Sequence, residues 1–275
     1  MLKIGYYQFR PRFGAIAANV ARVVGALSTV DADLIVLPEL AFTGYHFRDR
    51  AETMALAEDP RRSSTVAALT ALCKARKLHL VTGFAERHRD KVFNSALLIG
   101  PKGVIHVYRK LHLFNNEISC FDPGDTPLSV QKVRGARIGM MVCFDWAFPE
   151  VARSLALQGA EVLCHPSNLV LAWCQQTMLS RCLENRVFAV TTNRYGADKR
   201  PHGELRFTGR SQIVAPGGKL MQRAASQRDA LFVTEIDPAE ARDKMITARN
   251  DLLADRRPEH YRLLTRNIRK KGKTR

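Results

Sequence analysis

Arg137-Ile-Gly-Met-Met-Val-Cys-Phe-Asp-Trp-Ala-Phe-Pro-Glu150 runs apolar as far as a cysteine and then changes character within a few residues. Arg137–Met141 reads as a strand leading straight to Cys143, and Asp145, Pro149 and Glu150 supply the turn and first-turn chemistry of a following helix. Such a strand-to-helix elbow presents a nucleophile at a strand end, with the next backbone N–H, that of Phe144, aimed at a developing oxyanion. The general alternative is a buried inert thiol. That is the reading for Cys73, Cys120, Cys164, Cys174 and Cys182, whereas the elbow context sets Cys143 apart.

Working outward, apolar runs bounded by turn residues predict strands near Leu2–Phe9, Leu34–Leu37, Leu78–Phe84, Val92–Ile99, Val104–Tyr108, Val162–His165, Phe188–Thr192, Ser211–Ala215, Leu220–Gln222 and Leu231–Ile236. Helix-period segments fall at Ala15–Leu27, Ser64–Ala75, Glu150–Gln158, Ala172–Asn185 and Pro238–Arg242. Gly100-Pro101-Lys102-Gly103 and Ala215-Pro216-Gly217-Gly218-Lys219 separate neighbouring strands as hairpin loops do, so the sheets are mixed. Strand-helix alternation with inserted hairpins implies an α/β protein of layered sheets covered by helices.

Two further segments carry chemistry. Leu34-Ile-Val-Leu-Pro-Glu-Leu40 ends an apolar strand on Glu39, where burial would raise a carboxyl group toward the range useful to a general base. A strand-end salt bridge is the alternative. Val107-Tyr-Arg-Lys-Leu-His-Leu113 places Lys110 between a strand and a loop containing Glu117. Alone it reads equally as a surface charge pair whose lysine stem covers apolar surface. His112 is a candidate base, although a lone histidine between leucines is more often a hydrogen-bonded structural residue.

Composition bounds these readings. Hydrophobic residues at 46% and charged residues at 25% of 275 match one ordinary globular domain, taken as residues 1–255 with a basic extension at 256–275. Lys and Arg number 43 against 26 Asp and Glu, a net charge of +17. Much of that excess lies in the tail, expected to be solvated and frayed, and no basic segment interleaves with aromatics, so nucleic acid is not the expected partner. No apolar stretch approaches the ~18 residues of a membrane span. The opening MLKIGYYQFRPRFG does not read as a secretory signal, and the expected location is the cytoplasm. There, six cysteines without C-x-x-C spacing imply neither structural disulfides nor a metal centre, and no cofactor is expected.

Taken in order, LPEL at 37–40, YRKLHL at 108–113 and MVCFDWAFPE at 141–150 resemble the three signature segments of the nitrilase superfamily, the carbon-nitrogen hydrolases. FDPGD at 121–125, GAEVLCHPSNL at 159–169 and RCLENRVF at 181–188 extend the resemblance, which runs from the first strand to about Tyr261. It implies a four-layer α-β-β-α sandwich with two mixed sheets face to face. It also implies a catalytic Glu39, Lys110 and Cys143, and a second glutamate, Glu117, that orients the lysine and substrate. Dimerisation or higher assembly through Glu150–Gln158 and Ala172–Asn185 is a further implication.

The substrate expected is a small amide, hydrolysed to acid and ammonia through a Cys143 thioester. A small aliphatic nitrile, reacting through a thioimidate, or an N-carbamoyl compound stands as the alternative. Phe42, Tyr45, Trp146, Asn168 and Trp173 are candidate pocket residues, because they lie just beyond signature segments. A catalytically silent binding protein and a papain-like thiol hydrolase using His112 or His165 are the readings from other classes. The CGSCW-type signature of the latter is absent.

Overall fold

A computed structural model describes residues 1–267. These fall into two compact units, Met1–Asp243 and the segment from Lys244 onward, so part of the basic extension, 268–275, lies outside the described residues. The first unit opens with β1 (Leu2–Gln8), α1 (Ile16–Leu27), β2 (Leu34–Val36), α2 (Arg50–Leu56), α3 (Ser64–Arg76), β3 (His79–His88), β4 (Lys91–Gly100) and β5 (Gly103–Arg109). A short helix α4 (Glu117–Cys120) leads to β6 (Val130–Val133), β7 (Ala136–Met140), α5 (Pro149–Leu157), β8 (Val162–Ser167), α6 (Cys174–Asn185) and β9 (Phe188–Asn193). A hairpin of β10 (Tyr195–Arg200) and β11 (Gly203–Thr208) precedes β12 (Gln212–Val214), β13 (Leu220–Arg223) and β14 (Ala230–Ile236).

Two mixed six-stranded sheets result, ordered β14-β1-β2-β3-β4-β5 and β13-β12-β9-β8-β7-β6. Their relation is written in the period-two alternation of the strands. Leu2, Ile4 and Tyr6 of β1, with Leu34 and Val36 of β2, pack into one core with Ile138, Met140 and Val162 of the other sheet. The intervening Tyr7 and Ile35, with Phe9 and Leu37 just past the strand ends, face the opposite way and bury Val23 and Leu27 of α1 and Val66, Leu69 and Leu72 of α3. Val151 and Leu155 of α5, with Met178 and Cys182 of α6, belong to the second sheet's side of the core. The layers are therefore helix, sheet, sheet, helix, as the sequence implied.

The predicted β4–β5 and β12–β13 hairpins are present, the second with Gly217 and Gly218 at φ +85° and +77°. Pro238–Arg242 is a 3-10 turn over Pro238–Ala241, too short for a helix. Of the elements named above, five escaped the sequence reading: the helices α2 and α4 and the strands β6, β10 and β11. Helix α2 has only seven residues and is set by its cap, where the Asp49 carboxylate accepts from the Glu52 N–H at 2.9 Å. The paired strands YGADKR and GELRFT carry no apolar alternation because most of their side chains are not buried. Among the described residues no helix is long and apolar enough to cross a membrane, and no cluster of His, Cys, Asp or Glu could hold a metal ion. All six cysteines are buried and unpaired.

Candidate active site

Strand topology delivers the three signature residues to one place. Glu39 follows β2, Lys110 follows β5 and Cys143 follows β7, and each strand hands over to irregular backbone at that point. The turn after β2 is held by close approach to β3, where the Gly83 N–H donates to the Pro38 carbonyl at 3.0 Å. A Cβ on Gly83 would sit 2.3 Å from both Glu39 Cα and the Leu40 nitrogen. Gly83→Ala should therefore push the Glu39 backbone out of place. We expect a destabilisation of about 1–3 kcal/mol by urea unfolding, together with a loss of turnover. Stability unchanged within about 0.5 kcal/mol would contradict this account. The turn after β5 is packed in the same manner: the Gly124 N–H donates to the Lys110 carbonyl at 2.9 Å, and a Cβ there would meet the Arg109 carbonyl oxygen at 2.2 Å.

Lys110 is 1% exposed, and its Nζ donates to Glu39 Oε1 at 2.7 Å and to both oxygens of Glu117 at 2.8 Å. Burial opposes its charge, but the carboxylates of Glu117 and Glu39 prevail and hold the ammonium above its usual range. Asn94, from the middle of β4, donates to Glu39 Oε1 at 2.7 Å, and Tyr45 donates its hydroxyl to Glu117 Oε1 at 2.6 Å. Burial raises the Glu39 carboxyl above its ordinary value despite the pull of Lys110. Its second oxygen, Oε2, is buried and has no hydrogen-bond partner among the described residues.

Cys143 is 5% exposed and adopts φ +42°, a left-handed conformation unusual for a residue with a Cβ. Burial pushes its thiol well above its normal pKa, helped by the charge of Glu39 and opposed by Lys110 and the Asn168 N–H. Thiol, carboxyl and ammonium are thus electrostatically coupled. The elbow itself is pinned by Asp145, whose Oδ2 accepts from the Val142 N–H at 2.8 Å and the Tyr108 hydroxyl at 2.7 Å. Its Oδ1 lies 2.8 Å from His112 Nδ1, and the His112 ring stacks on Phe148. Phe144 is the second residue of the 3-10 turn Cys143–Ala147. The first N–H groups of such a turn lack internal partners and are available to a ligand.

Neither histidine serves the thiol. His112 is committed to Asp145. His165 Nε2 lies 2.9 Å from the Cys143 carbonyl oxygen and Nδ1 lies 3.2 Å from Thr191 Oγ1, while burial pushes its pKa down to about 4. A papain-like arrangement is therefore absent from this site.

Of the five pocket candidates, Trp146 and Asn168 line the cleft at Cys143 together with Phe114, Phe144, Leu169, Val170 and Leu171. Tyr45 lines the adjoining cavity beside Glu117. Phe42 does not line either; it is a core residue among the side chains under α1 and α3. Trp173 is 65% exposed at the start of α6 and lines neither cavity. Sequence reasoning missed Asn94, Tyr108, Phe114 and the anchoring role of Asp145. For Asn94 the signal was an amide in the run KVFNSALLIG, where every other position from Val92 to Ile99 except Ser95 is apolar.

The carbon-nitrogen hydrolase family profile matches residues 3–244. A nitrilase of Pyrococcus abyssi is 38% identical over 264 residues, covering 95% of this chain and 99% of that protein. An (R)-stereoselective amidase of a Pseudomonas species is 35% identical, covering 93% and 92% of the two chains. A crystal structure of a carbon-nitrogen hydrolase from Helicobacter pylori has the same fold at a TM-score of 0.83 and 23% identity, over 97% of this chain and 98% of that one. An elbow cysteine, two buried carboxylates and the lysine between them sit inside a match that spans nearly all of the first compact unit, and the chain belongs to the carbon-nitrogen hydrolase family.

Proposed function

We propose that this hydrolase converts a small amide to a carboxylic acid and ammonia through a thioester on Cys143. The observation that carries the reading is the Glu39–Lys110–Glu117 cluster, fully desolvated and coupled to the thiol, in which Glu39 Oε2 alone is left without a partner. Glu39 takes the thiol proton as sulfur attacks the carbonyl carbon. Lys110 and the Phe144 N–H hold the oxyanion. Two of the three Lys110 bonds go to one carboxylate, so one ammonium N–H can turn to the substrate while the Glu117 contact persists. Protonated Glu39 then gives its proton to the departing nitrogen, ammonia leaves, and the same carboxylate activates water to cleave the thioester. The raised pKa values of thiol and carboxyl suit this transfer, because each group is displaced in the same direction and the resting thiol stays protonated.

The test is ammonia release from a panel of small amides, nitriles and carbamoyl compounds, with intact mass of the Cys143 adduct. No turnover of any amide would remove the reading. The pH profile adds an independent check. Glu39 accepts the thiol proton only when ionised, so kcat/KM falls as pH drops through its raised pKa, and the acid limb should lie above the ordinary carboxylate range. An acid limb at or below pH ~4.3, the ordinary glutamate value, would exclude Glu39 as the base.

A binding protein without catalysis is disfavoured by the same cluster. Burying two carboxylates and an ammonium costs stability that hydrophobic packing would not. We also infer self-association through α5 and α6, supported by the exposed Leu157 and Leu183 on those helices.

A further inference from the structure

Glu39 and the two asparagines that donate to it each carry a buried acceptor with no hydrogen-bond partner among the described residues: Glu39 Oε2, Asn94 Oδ1 and Asn168 Oδ1. A buried polar atom left unpaired is costly, and native proteins seldom keep one without a use. Asn168 is the informative member. It is 2% exposed, follows directly on β8, and lines the cleft that holds Cys143. Its Nδ2 donates to the Glu39 carbonyl oxygen at 2.8 Å. That acceptor fixes which way the amide faces, since the reverse orientation would set two oxygens against each other. Anchored through its Nδ2 to the Glu39 backbone, Asn168 brings an unpaired acceptor to the cleft that holds Cys143.

We propose that Asn168 Oδ1 accepts an N–H of the scissile amide, and that this bond selects primary amides over nitriles. The inference rests on the amidase reading given above and specifies its substrate. A bound primary amide has a donor end and an acceptor end. Its carbonyl oxygen meets the donors, Lys110 Nζ and the Phe144 N–H. Its NH2 group meets the acceptors, Glu39 Oε2, which must reach the nitrogen to protonate it, and Asn168 Oδ1. A nitrile carries no N–H and leaves Asn168 Oδ1 buried and unpaired. Sites built to hydrogen-bond a substrate N–H or O–H reject analogues lacking it by about 10⁴-fold, far more than an apolar pocket discriminates. Asn168 is a specificity residue in this scheme; the bonds made and broken are those of the thioester route.

The experiment compares kcat/KM for propionamide, N,N-dimethylpropionamide and propionitrile in the full-length wild-type protein and in Asn168→Ser and Asn168→Ala. The wild type should favour propionamide over propionitrile by at least about 10²-fold and should not turn over the dimethyl amide, which has no N–H to donate. In the variants the amide-to-nitrile ratio should collapse at least tenfold. A role confined to supporting the Glu39 backbone would lower both rates together and leave the ratio where it was. An unchanged ratio in folded variants, or wild-type turnover of N,N-dimethylpropionamide within tenfold of propionamide, overturns the proposal while the amidase reading stands. The wild-type comparison needs no variant, so a misfolded Asn168 substitution does not remove the test. Wild-type protein that turns over propionitrile and no amide sinks the amidase reading itself.

Discussion

Replacing Lys110 by alanine should lower kcat/KM by at least 10²–10³-fold, the usual loss for one oxyanion donor, and destabilise the fold by about 3–5 kcal/mol. The two effects share one origin. Lys110 is the counter-charge to two buried carboxylates, and its removal leaves Glu39 and Glu117 facing each other in a water-poor cluster. With the lysine gone, burial of Glu39 is opposed only by the Asn94 hydrogen bond, so its pKa climbs further. A larger share of Glu39 is then protonated at neutral pH and unable to accept the thiol proton, so catalysis loses its base as well as its cation. The stability deficit also has a predicted sign with pH. An ionised, unpaired, buried carboxylate disfavours folding, and its penalty disappears when it is protonated. The deficit relative to wild type should therefore narrow as pH falls toward the ordinary carboxylate range. Denaturant titrations across pH and ammonia-release rates test both halves. A Lys110→Ala protein within 1 kcal/mol of wild type and above a tenth of its rate would contradict the cluster's role.

What the sequence showed of this site follows from how each residue is carried. Glu39, Lys110 and Cys143 each stand just after an apolar strand, so the same alternation that announces the strand also announces what lies at its end. The four layers were legible for the same reason, through side chains such as Leu34, Ile35 and Val36 that must be buried on both faces of a sheet. Position across the cleft was not legible. Phe42 and Trp173 lie as near to signature segments as Tyr45 and Asn168 do, yet Phe42 turns under the helices and Trp173 faces solvent. Sequence proximity to a signature segment fixes the end of the sheet, not the side chain's direction. Asn94 was hidden for the opposite reason: it sits mid-strand, and its meaning depends on cross-strand neighbours that periodicity does not name. Asp145 was read as turn chemistry, and only the fold shows that Tyr108 and His112 come from β5 and its following loop to complete its bonds.

Cys143→Ala should reduce turnover on the order of 10⁶-fold, the scale seen when the nucleophile of a covalent hydrolase is removed, while leaving a folded protein. Folding should survive because the elbow is held by Asp145 and by backbone bonds, including that from the Asp145 N–H to the Val142 carbonyl at 3.0 Å, none of which uses the sulfur. Alanine keeps the Cβ and hence the strain of φ +42°; glycine does not. Cys143→Gly should therefore be more stable than Cys143→Ala by about 0.5–1 kcal/mol, with both equally inactive. That ordering separates two explanations of the left-handed conformation. If the strain exists to aim the thiol, relieving it gains stability and activity is already lost with the sulfur. Were the backbone at 143 relaxed, alanine would match or exceed glycine, as it does in ordinary loop positions. Intact mass after substrate and after iodoacetamide completes the comparison: an adduct on wild type and none at this position on either variant is the expected pattern. Residual turnover above about one per cent in Cys143→Ala would mean that another group attacks the carbonyl, since the oxyanion hole and binding alone leave only a small remnant of the rate.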